Sequence, residues 1–279
     1  MSTALELLAD KAAFLWMGAR NGERSMSRAL RCATLLGDLD ISDVDVSVMD
    51  RLSEQLQGEG LGPASINRHL SALSKLLRWA EARGGIGKAP KAPFRREPRG
   101  RSRVLSSEET TKVLSWFDQN AARPYRAFIC FLLETGLRCG EAHSLRWEDV
   151  SKDRSARYWV TPKDTKNGDP RSVPLSRAAY QAMKTACAPD QVFAKVNRNT
   201  LSHLWAACRN ELALDRELVI HSLRHSRASI LVNAGVPIAH IQAWLGHRDI
   251  KTTMRYAHTD RASLARALEA MEGKDRKDA

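Results

Sequence analysis

Helical apolar stripes separated by short polar breaks account for most of the chain. Residues 4–20 carry Leu5, Leu7, Leu8, Ala12, Leu15 and Trp16 at spacings that share one side of a helix. A second helix is predicted over 25–36, with Leu30, Ala33 and Leu36 as its stripe and Gly37 at its end. A third, over about 47–57, runs into Gly58-Glu59-Gly60. The fourth, about 63–83, has the strongest stripe of this half: Ile66, Leu70, Leu73, Leu76, Leu77 and Trp79, closed by Gly84-Gly85. Residues 1–88 therefore read as a compact helical domain. Asn67, Arg68, His69 and Lys75 fall on or beside the polar face of the fourth helix.

Residues 89–103 break the pattern. Pro90, Pro93, Pro98 and Gly100 forbid a regular helix. Lys91, Arg95, Arg96, Arg99, Arg101 and Arg103 face a single acid, Glu97, so the stretch reads as a basic linker. Residues 104–279 form the second domain. It opens with Ser106-Ser107-Glu108-Glu109, a capping box for a helix through Trp116. An apolar helix follows over 124–135, then a turn, Thr135-Gly136-Leu137-Arg138, and a short helix with Glu141. Two strands are predicted at 156–161 and 171–175, with an Asn167-Gly168 turn and Lys166 beside it. Further helices are predicted at 176–187, 198–211, 222–233 and from Pro237 to Gly246. A short segment over 250–257 bears Tyr256, and a tail helix carries Leu264, Ala267, Leu268 and Met271. The expected fold class is mainly α, with a small antiparallel sheet in the second domain.

Charge narrows the function. A net charge of +12 points to a polyanionic partner, nucleic acid first and an acidic membrane surface second. No apolar run is long enough to span a bilayer, and no basic segment followed by an apolar one marks a signal peptide, so a cytoplasmic, nucleoid-associated location is expected. The five cysteines are scattered without a CxxC pair, which supports neither a disulfide framework nor a zinc ribbon. His221 and His225 have zinc-like spacing but lack an apparent third ligand, so neither metal nor other cofactor is expected. On this charge background the candidate DNA contacts are Asn67, Arg68, Lys75, Arg95, Arg96, Arg99, Arg101 and Arg103. A solvated face and a solvated hinge are the competing readings of the same residues.

The chemistry concentrates further on. Thr135-Gly-Leu-Arg138-Cys-Gly-Glu141, followed by Leu145-Arg-Trp147, resembles the first arginine box of the tyrosine recombinases, the phage integrase family. His221-Ser-Leu-Arg224-His225 resembles their second box. Leu245-Gly-His247 and Thr252-Thr-Met-Arg-Tyr256 resemble the third box and the nucleophile segment. Residues 25–88 more weakly resemble the family's helical core-binding domain. His143 and Cys139 depart from the family pattern without touching the catalytic set.

The resemblance implies a mechanism. Tyr256 would attack a phosphodiester, forming a 3′-phosphotyrosyl link and freeing a 5′ hydroxyl that later reverses or exchanges the bond. Arg138 and Arg224 would hold the non-bridging oxygens, where charge builds in the transition state. Forming a phenolate at pH 7 costs roughly 4 kcal/mol, so a base is needed. His221 resembles the family's proton acceptor, Lys166 its general acid and His247 its hydrogen-bonding imidazole. Glu141 would support the site from behind. His225 is expected to pack against or orient the second arginine. The implied partners are double-stranded DNA with paired recombination sites and further copies of the chain, joined through the tail into a homo-tetramer. An accessory directionality factor would be a further partner. Integration or excision of a phage or similar mobile element is the leading role. A Xer-like dimer resolvase, a catalytically silent DNA-binding protein and a type IB topoisomerase are the alternatives.

Overall fold

The structure is a computed structural model and describes residues 3–4, 14–19, 21–97, 103–163, 170–186 and 188–256. The chain divides into two compact units, Met1–Gly100 and Arg101–Ala279. The described residues are mainly helical, with one three-stranded antiparallel sheet.

In the first unit, α1 spans Gly22–Leu36, α2 Val46–Gly58 and α3 Pro63–Glu81. Asp45 caps α2 by accepting from the Val48 amide at 2.8 Å. Pro63 starts α3, where a missing N–H does no harm. Ile66, Leu70, Leu73, Leu76 and Leu77 of α3 are fully buried against α1 and α2. The buried face of α1 differs from the predicted stripe. Ala29, Cys32 and Ala33 are buried, whereas Leu30 is half exposed. Small side chains let α1 lie close to α3, and a leucine stripe would hold them apart. His69 is also inside rather than on the polar face, with Nδ1 bonded to the Ser65 carbonyl at 2.9 Å. Most of the predicted helix over 4–20 lies outside the described residues.

The basic stretch does not leave the first unit at residue 89. Ala89 and Ala92 pack on its core. The Asn67 side chain brackets the stretch: its amide donates to the Arg95 carbonyl and to Glu97, and its carbonyl accepts from the Arg95 amide, each at 2.8 Å. Arg95 in turn donates to Ser53 at 2.7 Å. The backbone N–H and C=O of Arg95, which have no ladder partner, are thereby satisfied by one α3 side chain.

In the second unit, α4 spans Ser107–Asn120, and its Ser106–Glu109 capping box is formed in both directions. The central helix, α5, spans Arg123–Thr135 and is buried on nearly every side. Around it lie α6 (Cys139–His143), α7 (Arg177–Ala186), α8 (Arg198–Glu211), α9 (Ser222–Asn233), α10 (Ile238–Leu245) and α11 (Ile250–Met254). Phe128 and Phe131 of α5 meet Phe193 at ring-centroid distances of 4.9 Å, the aromatic centre of this core. The sheet pairs β1 (Val150–Lys152), β2 (Tyr158–Val160) and β3 (Val173–Pro174) in that order, with Val160 opposite both Val150 and Val173. The first strand is additional to the two expected. Lys166, Arg99, Arg101 and the tail helix lie outside the described residues.

Candidate active site

Two glycine turns bring the site together. Gly136 ends α5 in the left-handed conformation, φ +67°. A Cβ there would come within 3.1 Å of Arg227 and Leu245, so the turn is pinned sterically as well as by its dihedral. Arg138 then sits at the N-cap of α6, and Glu141, three residues on, accepts from its backbone amide at 3.0 Å. Gly246 ends α10 in the same manner, φ +64°, and presents His247.

The arginines use the carbonyls exposed at these helix ends. Arg224, 3% exposed on α9, donates to the Gly136 carbonyl at 2.8 Å and to the Leu245 carbonyl. Arg138 donates to the neighbouring Gly246 carbonyl at 3.1 Å and to Glu141 at 2.6 Å. Helix C-termini carry partial negative charge and unpaired carbonyls, which suits buried guanidinium groups.

A third arginine completes the cluster. Arg171, just before β3, donates to Glu141 at 2.6 Å and to the Trp244 carbonyl at 2.9 Å. Burial alone would raise the Glu141 pKa, but Arg171 and then Arg138 outweigh it and hold the carboxylate at about 2. Burial, reinforced by Arg138 and Arg171, brings Arg224 down to about 9, still charged at pH 7. Two guanidinium groups thus pair with one carboxylate, and a third, Arg224, is held nearby on backbone carbonyls alone. The excess positive charge is fixed in place and suited to an anion.

The imidazoles and the phenol lie beside this cluster. His247 bonds through Nδ1 to the buried Thr253 hydroxyl at 2.9 Å. Burial, with Arg224 and Arg138 next, pushes it down to about 3, so the ring is neutral at pH 7. Tyr256 is 7% exposed, and its hydroxyl is hydrogen-bonded to Nδ1 of His225. Burial raises the Tyr256 pKa, partly offset by Arg255 and Arg224. His225 falls to about 4, through burial first and then His221, Arg255 and Arg224. His221 meets His225 edge to face at 4.9 Å.

Of the sequence-predicted residues, Arg138, Glu141, Arg224 and His247 converge on the turns after α5 and α10. Tyr256 is beside Arg224 through His225. The role expected for His225 is revised: its ring nitrogen engages the Tyr256 hydroxyl, not Arg224. Arg171 had no sequence signal of its own, being one of 44 basic residues, and Thr253 lay within the nucleophile segment without a role assigned to it. Only their side-chain partners distinguish them.

The DNA-contact candidates divide differently. Arg68 and Arg96 are exposed. Lys75 lies over the Trp16 ring at 5.3 Å, and Arg103 pairs with Glu109 at 2.6 Å. Among the described residues no three His, Cys, Asp or Glu side chains gather into a metal-ligating group. A separate hollow of about 360 Å³, lined by His143, Arg146, Glu148, Asp149, Lys163 and Gln191 among others, contains none of the candidate residues.

The sequence model of the phage integrase family matches residues 103–263, more than half of the chain. The chain belongs to the phage integrase family. Tyrosine recombinase XerC of Xanthomonas campestris pv. campestris (strain B100) is 28% identical over 261 residues, covering 88% of this chain and 80% of XerC. The integrase of Escherichia phage 186 is 28% identical over 248 residues, covering 84% and 70%. Among solved structures, a lambda integrase (75–356) dimer bound to a COC′ core site superimposes with a TM-score of 0.76 at 18% identity, covering 92% of this chain and 97% of that one. As an integrase-family member the chain is a site-specific tyrosine recombinase, an enzyme of DNA strand exchange.

Proposed function

We propose that Tyr256 is the nucleophile of this recombinase and that the cluster around Glu141 receives the scissile phosphate. The observation that carries the reading is the gathering of Arg138, Arg171 and Arg224 at the turns after α5 and α10, the first two paired with Glu141, with the Tyr256 hydroxyl held beside them on His225. Arg138 and Arg224 hold the non-bridging oxygens; losing one such donor lowers a rate by about 10²–10³. Neutral His247 hydrogen-bonds a third position. Lys166 protonates the leaving 5′ oxygen. The phosphodiester energy is retained in the 3′-phosphotyrosyl bond.

The substrate is double-stranded DNA with paired sites. The helical first unit and the basic stretch after it supply the backbone contacts, with Arg68, Arg96, Arg99 and Arg101 foremost, in a nucleoid-associated enzyme. Asn67, Lys75, Arg95 and Arg103 already have partners within their own units and position the binding surface. Four copies linked through their tails perform the exchange, with a directionality factor selecting its sense. Integration and excision of a mobile element is the preferred role, which the phage 186 relative supports. The XerC relatives favour dimer resolution as the second reading.

Covalent capture tests this. Fragmented genomic DNA from the source organism is incubated with the protein, the mixture denatured, and the protein-linked DNA sequenced. One or a few sites with inverted repeats, absent with Tyr256→Phe, are expected. An adduct that survives in that variant removes Tyr256 from the role. Attachment scattered over unrelated sequences would indicate a relaxing activity instead.

A further inference from the structure

We infer that Thr253 is a positioning residue: its hydroxyl holds the His247 imidazole in the tautomer with hydrogen on Nε2, so that the ring meets the scissile phosphate as a donor. The inference rests on the reading that the arginine cluster receives that phosphate. It adds which ring nitrogen carries the hydrogen and what sets it there.

The hydroxyl has one partner. Thr253 is fully buried in α11, and its Oγ1 lies 2.9 Å from Nδ1 of His247. Threonines inside helices commonly turn the hydroxyl back onto the carbonyl four residues earlier. In this chain Thr34, Thr110, Thr111, Thr135 and Thr185 all do so. Thr253 does not; among the described residues its hydroxyl bonds only to His247. A buried hydroxyl hydrogen without an acceptor is costly, so Thr253 is the donor and Nδ1 accepts. An accepting Nδ1 carries no hydrogen. Burial first, then Arg224 and Arg138, keep the ring neutral, and a neutral imidazole must then carry its one hydrogen on Nε2.

The ring has little freedom to turn away. The His247 amide donates to the Gln242 carbonyl at 3.1 Å, and the Gln242 side-chain amide donates to the His247 carbonyl at 3.0 Å. No group among the described residues engages Nε2. The opposite tautomer would aim the Nε2 lone pair at an anionic oxygen, which repels it. Arg138 and Arg224 supply the charge at the phosphate, and His247 supplies a neutral N–H of fixed direction. Thr253 also accepts from the Tyr256 amide through its carbonyl, at 3.0 Å. One residue therefore fixes the imidazole through its side chain and the backbone of the nucleophile through its main chain.

Two measurements on the full chain test this. The first is NMR of protein labelled with nitrogen-15 histidine, with His247→Gln to assign the resonances. Wild-type His247 is expected to show a protonated Nε2 and a bare Nδ1. The second is the rate of covalent adduct formation on sheared genomic DNA. Thr253→Val keeps the branched shape and removes the hydroxyl; mixed tautomers and a loss of about 10-fold in rate are expected. Thr253→Ser keeps the hydroxyl and should match the wild type in both. Retained non-covalent DNA binding verifies that each variant is folded. A bare Nε2 in the wild type overturns the proposal. So does a wild-type tautomer or a wild-type rate in Thr253→Val. So does a Thr253→Ser variant that behaves like Thr253→Val, which would make the threonine methyl group the agent. Arg138→Ala is run alongside. If it forms adduct at the wild-type rate, the phosphate reading falls together with this one; if it loses adduct while Thr253→Val does not, the phosphate reading stands and only this inference falls.

Discussion

Arg171 closes an ion pair on Glu141 at 2.6 Å that is almost sealed from solvent, the two side chains being 9% and 2% exposed. The carboxylate sits at about 2, well below its ordinary 4.5. A depressed carboxylate stabilises the fold above its unfolded pKa, and that stability is lost as pH falls through 4.5 towards 2. The contribution is about 3 kcal/mol at pH 7. Urea denaturation at pH 7 and pH 3 measures it: Glu141→Gln should be less stable at pH 7 by this order, and the gap should narrow on acidification. A gap independent of pH would show that the pair is not the source.

Arg224→Lys tests whether charge alone suffices. Lysine carries the charge as a point, whereas Arg224 reaches the Gly136 and Leu245 carbonyls with two separate nitrogens. The variant should lose about 10²–10³ in cleavage rate and also unfold at lower denaturant. Full stability with lost activity would mean that the carbonyl contacts contribute nothing to the fold.

Gly246→Ala should reach the active site indirectly. The position has φ +64°, and a Cβ would lie 2.7 Å from Cδ of Arg171. The backbone strain is on the order of 1–3 kcal/mol, and Arg171 must shift away from Glu141. Lower stability together with slower cleavage is expected, and a Gly246→Ala variant with unchanged stability and cleavage would show that Arg171 gives way without cost.

Asn67→Ala should free the stretch after α3. Three hydrogen bonds from one side chain hold Arg95 and Glu97. Their loss is expected to lower stability by about 1–3 kcal/mol and to speed trypsin cleavage at Arg95 and Arg96. An unchanged cleavage rate would show that the packing of Ala89 and Ala92 is sufficient.

The helices were legible because their apolar residues repeat with the helical period and their ends carry Gly37, Pro63, Ser106, Gly136 and Gly246. The candidate residues that the structure brings together, Arg138, Glu141, Arg224 and His247, stood out because the boxes surround them with characteristic neighbours. The strand Val150–Lys152 was not, since three residues with two exposed offer no alternation to detect. The burial of Ala29 in place of Leu30 was set by how closely α1 approaches α3, a tertiary choice that propensity does not encode. Arg171 and the partner of His225 were hidden for another reason: both depend on contacts across long stretches of sequence, and one arginine or histidine looks like another until its neighbour is known.

The buried position of Arg224 gives the site an unequal tolerance to decay. Removing the Tyr256 hydroxyl takes away one hydrogen bond at the edge of a small apolar cluster, and the molecule survives it. Removing Arg224 strands two carbonyls inside and loosens the joint between the ends of α5 and α10. A descendant that abandoned strand exchange but still had to fold would therefore shed the Tyr256 hydroxyl long before Arg224. A surviving arginine at this position is first of all a sign of architecture.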